Sequence, residues 1–198
     1  LALMAWDVKA GDAVFVSSFT FVASAECVAI VGATPIFVDS DPNTFNMDPK
    51  DLEKAIANVK KEGKLNLKAV IAVDIFGNPA NYDEIMKIAH SNGMKVLADS
   101  AQSYGSEYHG KRAGNIADMT ATSFYPTKPL AGYGDGGAVF TNNVAENDLV
   151  KSCRVHGMSP EDHYDNVRLG MTGRMNSFQA AVILQKLKVF EQELKDRY

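Results

Sequence analysis

Short apolar, β-branched runs alternate along the chain with stretches whose apolar residues recur at helical spacing. Residues 13–16, Ala-Val-Phe-Val, read as a strand after the turn pair Gly11-Asp12, and residues 22–31 as a buried helix closed by Gly32. Residues 35–39 are the next strand. Asp48 and Pro49 open a helix that runs to about residue 59, Asp48 as the N-cap and Pro49 at the first helical position. Residues 68–74 and 95–99 read as strands on either side of a helix over 81–91, which Gly93 ends. Two further strands cover 119–124 and 137–141, and a helix covers 145–154. Residues 154–172 are polar and read as loop. From 175 to about 195 the pattern predicts one long amphipathic helix, with Phe178, Val182, Leu187, Phe190 and Leu194 near helical spacing.

Strands that are apolar on both faces and alternate with helices predict an α/β fold. The expected architecture is a three-layer α/β/α sandwich on a mostly parallel sheet. No helix separates the strands that flank residues 125–137, so one of that pair is expected to run antiparallel. In such sheets ligands bind beyond the carboxyl ends of the strands. That rule selects Ser17 to Phe21, Asp39, Asp74 to Gly77, Asp99 to Gln102 and Ser123 to Lys128.

Composition narrows the picture modestly. The 198 residues carry 20 Lys and Arg against 24 Asp and Glu, a net charge of −4, and 46% are hydrophobic. That is a length and mix for one domain with a real core, and it excludes a disordered, collagen-like or coiled-coil chain. Mild acidity argues against a nucleic-acid binder, which would show a basic stripe. Two cysteines, Cys27 and Cys153, make neither a disulfide scaffold nor a metal cluster. The most apolar stretch, residues 27–38, is interrupted by Gly32, Thr34 and Pro35 and is too short to span a bilayer. With no signal peptide visible, the expected setting is cytoplasmic. Leu1 falls inside an apolar run and the last residues read as helix without a stop signal, so the chain is expected to be a piece of a longer protein.

The rim residues carry the chemistry. Asp99 ends an apolar strand and is either a helix cap or a carboxylate facing a cationic ring nitrogen, such as a protonated pyridine. Lys128 follows Pro126-Thr127 and precedes Gly132, Gly134, Gly136 and Gly137. Glycines permit left-handed turns and close backbone approach. A lysine in such a crease can be desolvated and made competent for Schiff-base chemistry. Ser123 is a turn hydroxyl or a phosphate ligand. Phe21 is core, or a ring laid over a planar cofactor. The glycines match neither a Walker loop nor the dinucleotide fingerprint. The aromatic Phe21, the acid Asp99, Gln102, Ser123 and Lys128, in this chain order, describe a pyridoxal phosphate (PLP) site.

Four stretches carry a family resemblance: GDAVFVSSFTFVASAECVAIVGATPIFVDSDPNTFNMDP, AVDIFGNPANYDEIMKIAHSNGMKVLADSAQSYGSEYHGKRAG, TSFYPTKPLAGYGDGGAVFTNN, and RVHG with GRMNSFQAAVILQKL. The sequence resembles the DegT/StrS family of PLP-dependent nucleotide-sugar aminotransferases, whose large domain is of the aspartate-aminotransferase type. The resemblance implies that Lys128 bonds covalently to PLP and that Asp99 pairs with the pyridinium nitrogen. It places Gln102 near the ring, Ser123 on the phosphate and Phe21 stacked on the cofactor. Thr172 stands where many members have an Asn that reaches the neighbouring subunit's phosphate. The implied reaction takes an amino group from an amino acid, usually L-glutamate, to the keto-sugar of a nucleotide-diphosphate sugar. UDP-linked N-acetylated 3-keto sugars or uronic acids, and 4-keto, 6-deoxy sugars, are both open. A homodimer is implied. So is a large domain over 1–198 that lacks an N-terminal phosphate-binding segment and a C-terminal small domain, and that alone binds PLP weakly. A regulatory or inactive PLP-binding relative is the alternative.

Overall fold

The computed structural model describes residues 1–197. In chain order the elements are α1 (Ala2–Ala5), β1 (Asp12–Ser17), α2 (Ala23–Ile30), β2 (Thr34–Val38), α3 (Pro49–Glu62), β3 (Asn66–Val73), α4 (Tyr82–Ser91), β4 (Lys95–Asp99), β5 (Glu107–Tyr108), β6 (Lys111–Arg112), β7 (Met119–Ser123), β8 (Gly137–Phe140), α5 (Val144–Cys153), α6 (Ser177–Leu187) and α7 (Phe190–Asp196). Six strands form one sheet in the order β2-β1-β3-β4-β7-β8. All neighbours are parallel except β8, which runs antiparallel to β7 with Thr120 opposite Phe140 and Ser123 opposite Gly137.

Alternation across the strands divides the core. Ala13, Phe15, Val70, Ala72 and Val96 face Leu52, Ile56 and Val59 of α3 and Tyr82, Ile85 and Ala89 of α4. Val14, Val16, Ala69, Ile71 and Leu97 face the other way, onto Leu3 of α1, Val28 of α2 and Leu149 of α5. Helices on both faces explain why β1 is buried along its whole length and why its sequence is apolar without a polar alternate. The result is the three-layer α/β sandwich expected from the pattern.

The helix ends follow local chemistry. Asp48 caps α3, its side chain accepting from Lys50 N at 2.8 Å, with Pro49 in the first turn and Gly63 in the left-handed conformation at the far end. Asn81, Asn143 and Asn176 cap α4, α5 and α6 in the same manner.

Two expectations change. The helix over 22–31 is not buried: only Ser24 and Val28 of α2 are, and the flanking Val22 and the terminal Ile30 are 62% and 77% exposed. A two-turn helix on one sheet face buries one stripe, so a largely apolar sequence leaves part of its apolar surface outside. The long helix over 175–195 is two. Lys188 N and Val189 N reach only three residues back, to Gln185 O and Lys186 O, and Val189 sits at φ −114°. That tightened turn redirects α7 so that Phe190 and Leu194 pack with Phe124, Leu130 and Tyr104. The stretch after β4, for which the pattern gave no element, contains the hairpin β5–β6, whose two-residue turn, His109-Gly110, has φ of 49° and 76°. Positive φ at both positions matches the twist of a tight hairpin.

No helix among the described residues is long and apolar enough to cross a membrane.

Gly137 holds β8 against β7. A Cβ there would lie 2.6 Å from the carbonyl oxygen of Thr122, a backbone atom that cannot turn aside. Gly137→Ala is expected to destabilise the fold by about 1–3 kcal/mol through this overpacking, measured as a lower urea midpoint at unchanged slope.

Candidate active site

The carboxyl ends of β1, β4 and β7 surround a cavity of about 700 Å³, within the range of small-molecule sites. Its lining includes Phe21 from the β1–α2 loop, Asp99 and Gln102 from the end of β4 and the turn after it, and Ser123 and Lys128 from the end of β7 and the following loop. All five residues picked from the sequence therefore meet at one place. Asp135, which sequence reasoning left without a role, also lines the cavity.

Each side chain is placed by identifiable contacts. Asp99 is the last residue of β4 and half-buried. Its Oδ2 accepts from Ser24 Oγ at 2.7 Å and its Oδ1 from Ala101 N at 3.1 Å. The segment after it is a series of turns, so Asp99 is not a helix cap. The Gln102 carbonyl Oε1 accepts from Phe76 N at 2.8 Å, which fixes that end of the amide and leaves its NH₂ group to donate. Ser123 Oγ accepts from Tyr125 N at 3.2 Å, so the turn role and a free hydroxyl proton coexist. Phe21 is 70% exposed, which excludes the core reading and leaves its ring on the cavity wall.

Lys128 is half-buried, its amide donating to Tyr125 O at 2.9 Å. Beyond it, Gly132 N closes a turn onto Phe124 O at 2.7 Å. None of Gly132, Gly134, Gly136 and Gly137 has a positive φ. Close approach, not left-handed geometry, is what requires glycine here. A Cβ on Gly132 would lie 2.8 Å from Gln179 Oε1, the atom of α6 that accepts from Tyr133 N at 2.7 Å. The lysine loop is thus clamped to α6.

Under the rim lies a residue that the strand-end rule selects but to which sequence reasoning gave no role. Asp74 follows β3 directly and is fully buried. Its Oδ1 accepts from Ala80 N at 3.1 Å and Tyr82 Oη at 2.6 Å, and its Oδ2 from Ser100 Oγ at 2.9 Å and Ser103 Oγ at 2.5 Å. Its amide donates to Asp99 O at 3.0 Å. Burial pushes the Asp74 carboxyl above its ordinary range, against the pull of these four donors, and burial with the neighbouring carboxylate pushes the Tyr82 phenol well up. Thr172 is not among the residues lining the cavity; its hydroxyl shares a 2.7 Å hydrogen bond with His156 Nε2.

A lysine, a fixed carboxylate and hydroxyls on the carboxyl rim of an α/β sheet could together hold a planar, phosphorylated small molecule. The chain belongs to the DegT/DnrJ/EryC1/StrS aminotransferase family, whose model matches residues 1–198. It is 43% identical over 191 residues to the UDP-2-acetamido-2-deoxy-3-oxo-D-glucuronate aminotransferase of Pseudomonas aeruginosa, covering 96% of this chain and 51% of that protein. A DegT DnrJ EryC1 StrS aminotransferase from Brucella abortus superposes with a TM-score of 0.94 at 48% identity, over 99% of this chain and 53% of that one. NtdA of Bacillus subtilis, solved with bound cofactor PMP, superposes with a TM-score of 0.85 at 29% identity, over 96% of this chain and 41% of that one. The chain spans about half the length of the curated relatives it matches.

The raised Asp74 carboxyl gives a signed prediction. A carboxyl whose folded pKa exceeds its unfolded value contributes stability that is full below the unfolded value, about 3.9, and is lost as pH rises through the folded one. Asp74→Asn removes that dependence. The stability advantage of the wild type over the variant, from urea unfolding between about pH 4 and pH 7, is expected to shrink as pH rises. An advantage that grows with pH would show that the donors outweigh burial.

Proposed function

We propose that this chain is the PLP-binding large domain of an aminotransferase that passes an amino group from L-glutamate to the keto-sugar of a nucleotide-diphosphate sugar. The observation that carries the reading is the convergence of Lys128, Asp99, Gln102, Ser123 and Phe21 on one cavity. The donor set suits the cofactor. A carboxylate meets a ring cation, a primary amine meets a carbonyl carbon, hydroxyls meet a phosphate and an exposed ring meets a planar face. When bound, PLP supplies an electron sink for the carbanion formed at the amine-bearing carbon.

The chain's own residues then take distinct tasks. Lys128 would hold the cofactor through its Nζ amine, and the same amine, when free, would hold or move a proton at the reacting carbon. Asp99, fixed by Ser24 and Ala101, would pair with the ring nitrogen. Ser123 turns its hydroxyl proton to the phosphate, since its oxygen already accepts from Tyr125. Gln102 offers its NH₂ beside the ring, and Phe21 covers one face. Lys128 is the one cation among the described residues that line the cavity, beside the carboxylates of Asp99 and Asp135. The exposed apolar flank of α2, with Val22 and Ile30, supports a homodimer. We place the enzyme in the cytoplasm. Glutamate rests on the family resemblance. For the acceptor, the Pseudomonas relative favours a UDP-linked N-acetylated 3-keto sugar over a 4-keto, 6-deoxy one.

A coupled assay of the intact protein with glutamate and UDP- or dTDP-linked 3-keto and 4-keto sugars decides the acceptor. Lys128→Ala is expected to lose the absorbance of bound cofactor near the violet edge of the visible and to lower turnover at least about 10²–10⁴-fold. Undiminished turnover in that variant would show that another lysine does the work.

A further inference from the structure

Ser24 belongs to α2, two sheet positions away from the strand that carries Asp99, and it is the only buried hydroxyl on that helix among the described residues. It is 5% exposed. Its Oγ–H donates to Asp99 Oδ2 at 2.7 Å, and its oxygen lies 3.0 Å from Thr20 Oγ1. With the Ser24 proton committed to the carboxylate, the Thr20 hydroxyl is the donor of the second bond. The direction of the chain is therefore set: Thr20 to Ser24 to Asp99. Thr20, Ser24 and Asp99 all line the cavity.

We infer that Ser24, seconded by Thr20, is a positioning residue that locks the plane of the Asp99 carboxylate toward the cofactor's ring nitrogen. The inference rests on the proposed PLP site. A carboxylate at a strand end turns about its Cα–Cβ and Cβ–Cγ bonds. One donor, Ala101 N, holds Oδ1 but leaves rotation about that contact. A second donor on Oδ2, from a different element, removes it. Ser24 is fit for the task because α2 lies on the sheet face next to β1 and β2 and is itself immobilised there by Val28, which is fully buried. An alanine would pack equally well in this small-residue helix, so the hydroxyl is explained by its contact and not by its volume.

The test uses the intact enzyme and reads cofactor binding, not turnover. Ser24→Ala is expected to weaken PLP roughly tenfold, the scale of one hydrogen bond to a charged group, and to diminish the visible circular dichroism of the bound cofactor. Thr20→Val, at a half-exposed position, should move both readouts the same way by less. Combining Ser24→Ala with Asp99→Asn decides the route of the effect. If Ser24 acts through Asp99, the double variant binds PLP no more weakly than Asp99→Asn alone. Losses that add, or a Ser24→Ala enzyme with unchanged affinity and dichroism, would overturn the inference. An Asp99→Asn enzyme that binds PLP as the wild type does would instead overturn the site reading on which it stands. Apo-enzyme thermal unfolding accompanies each variant, and a lowered midpoint that tracks the affinity loss in both Ser24→Ala and Thr20→Val would count against a positioning role.

Discussion

The rim of the sheet is organised around the buried carboxylate of Asp74. It stands one residue past β3 and is reached by donors from three directions: the backbone at Ala80, the phenol of Tyr82 at the start of α4, and the hydroxyls of Ser100 and Ser103. Its own amide is bonded to the carbonyl of Asp99. The turn that runs from Asp99 to Gln102 is therefore held from beneath at Ser100 and Ser103. It is held from the side by Ser100 N on Ala121 O and Thr122 Oγ1 on Ser100 O. An unpaired buried carboxylate would be severely destabilising, and so would its donors without it. That mutual need leaves the turn essentially one conformation, and with it the spacing of Asp99 and Gln102.

Phe19, Phe45 and Phe76 mark a second place where the rim is over-determined. Their ring centroids lie 5.7, 5.9 and 6.0 Å apart in pairs, and all three rings are exposed. Phe45 and Phe76 adopt φ of 61° and 57°, a left-handed conformation that costs a bulky residue about 1–2 kcal/mol. The buried Asn46 side chain offsets this. It donates to Asn78 O and Pro79 O, and it accepts from Ile75 N. One amide thus staples the loop after β2 to the turn after β3. Phe76 N is consequently held in place to bond the Gln102 carbonyl. Backbone strain of this sort persists only where the surroundings leave no alternative, and here it holds the amide that fixes Gln102, which lines the cavity.

Much of the fold was legible because its determinants are local or periodic. Strands buried on both faces announce themselves as unbroken apolar runs, and Asp48-Pro49 and Gly63 mark the ends of α3 by chemistry that acts within one turn. The site was legible as a set of strand-end residues with matching chemistry, sharpened by the family resemblance. What stayed hidden depends on contacts between distant segments. Ser24 looks like filler in an apolar helix until it is seen against Asp99, 75 residues away. Asp74 looks like one more strand-end acid until its four donors are counted. The glycines after Lys128 read as a crease, but the groups that crowd them are remote in sequence: Gln179 of α6 at Gly132 and Gly134, Met175 at Gly136 and the Thr122 carbonyl at Gly137. The break between α6 and α7 carries no Gly or Pro signal, only a Val189 whose turn is tightened by where α7 must pack.

Asp74 and Asp99 close the argument because they are neighbours with opposite assignments. A carboxylate offers about four acceptor positions. At Asp74 two donors reach each oxygen, and every one comes from inside the fold. At Asp99 one donor reaches each oxygen, from Ser24 and Ala101, and the side chain lines the cavity. The first carboxylate is saturated and can only hold structure. The second is oriented yet keeps unused capacity, and the direction left open is the cavity, where a ring N–H would find it. Sequence places both acids at strand ends in the same way. Which one supports the rim and which one faces the cavity is decided by the number of hydroxyls the fold directs at each.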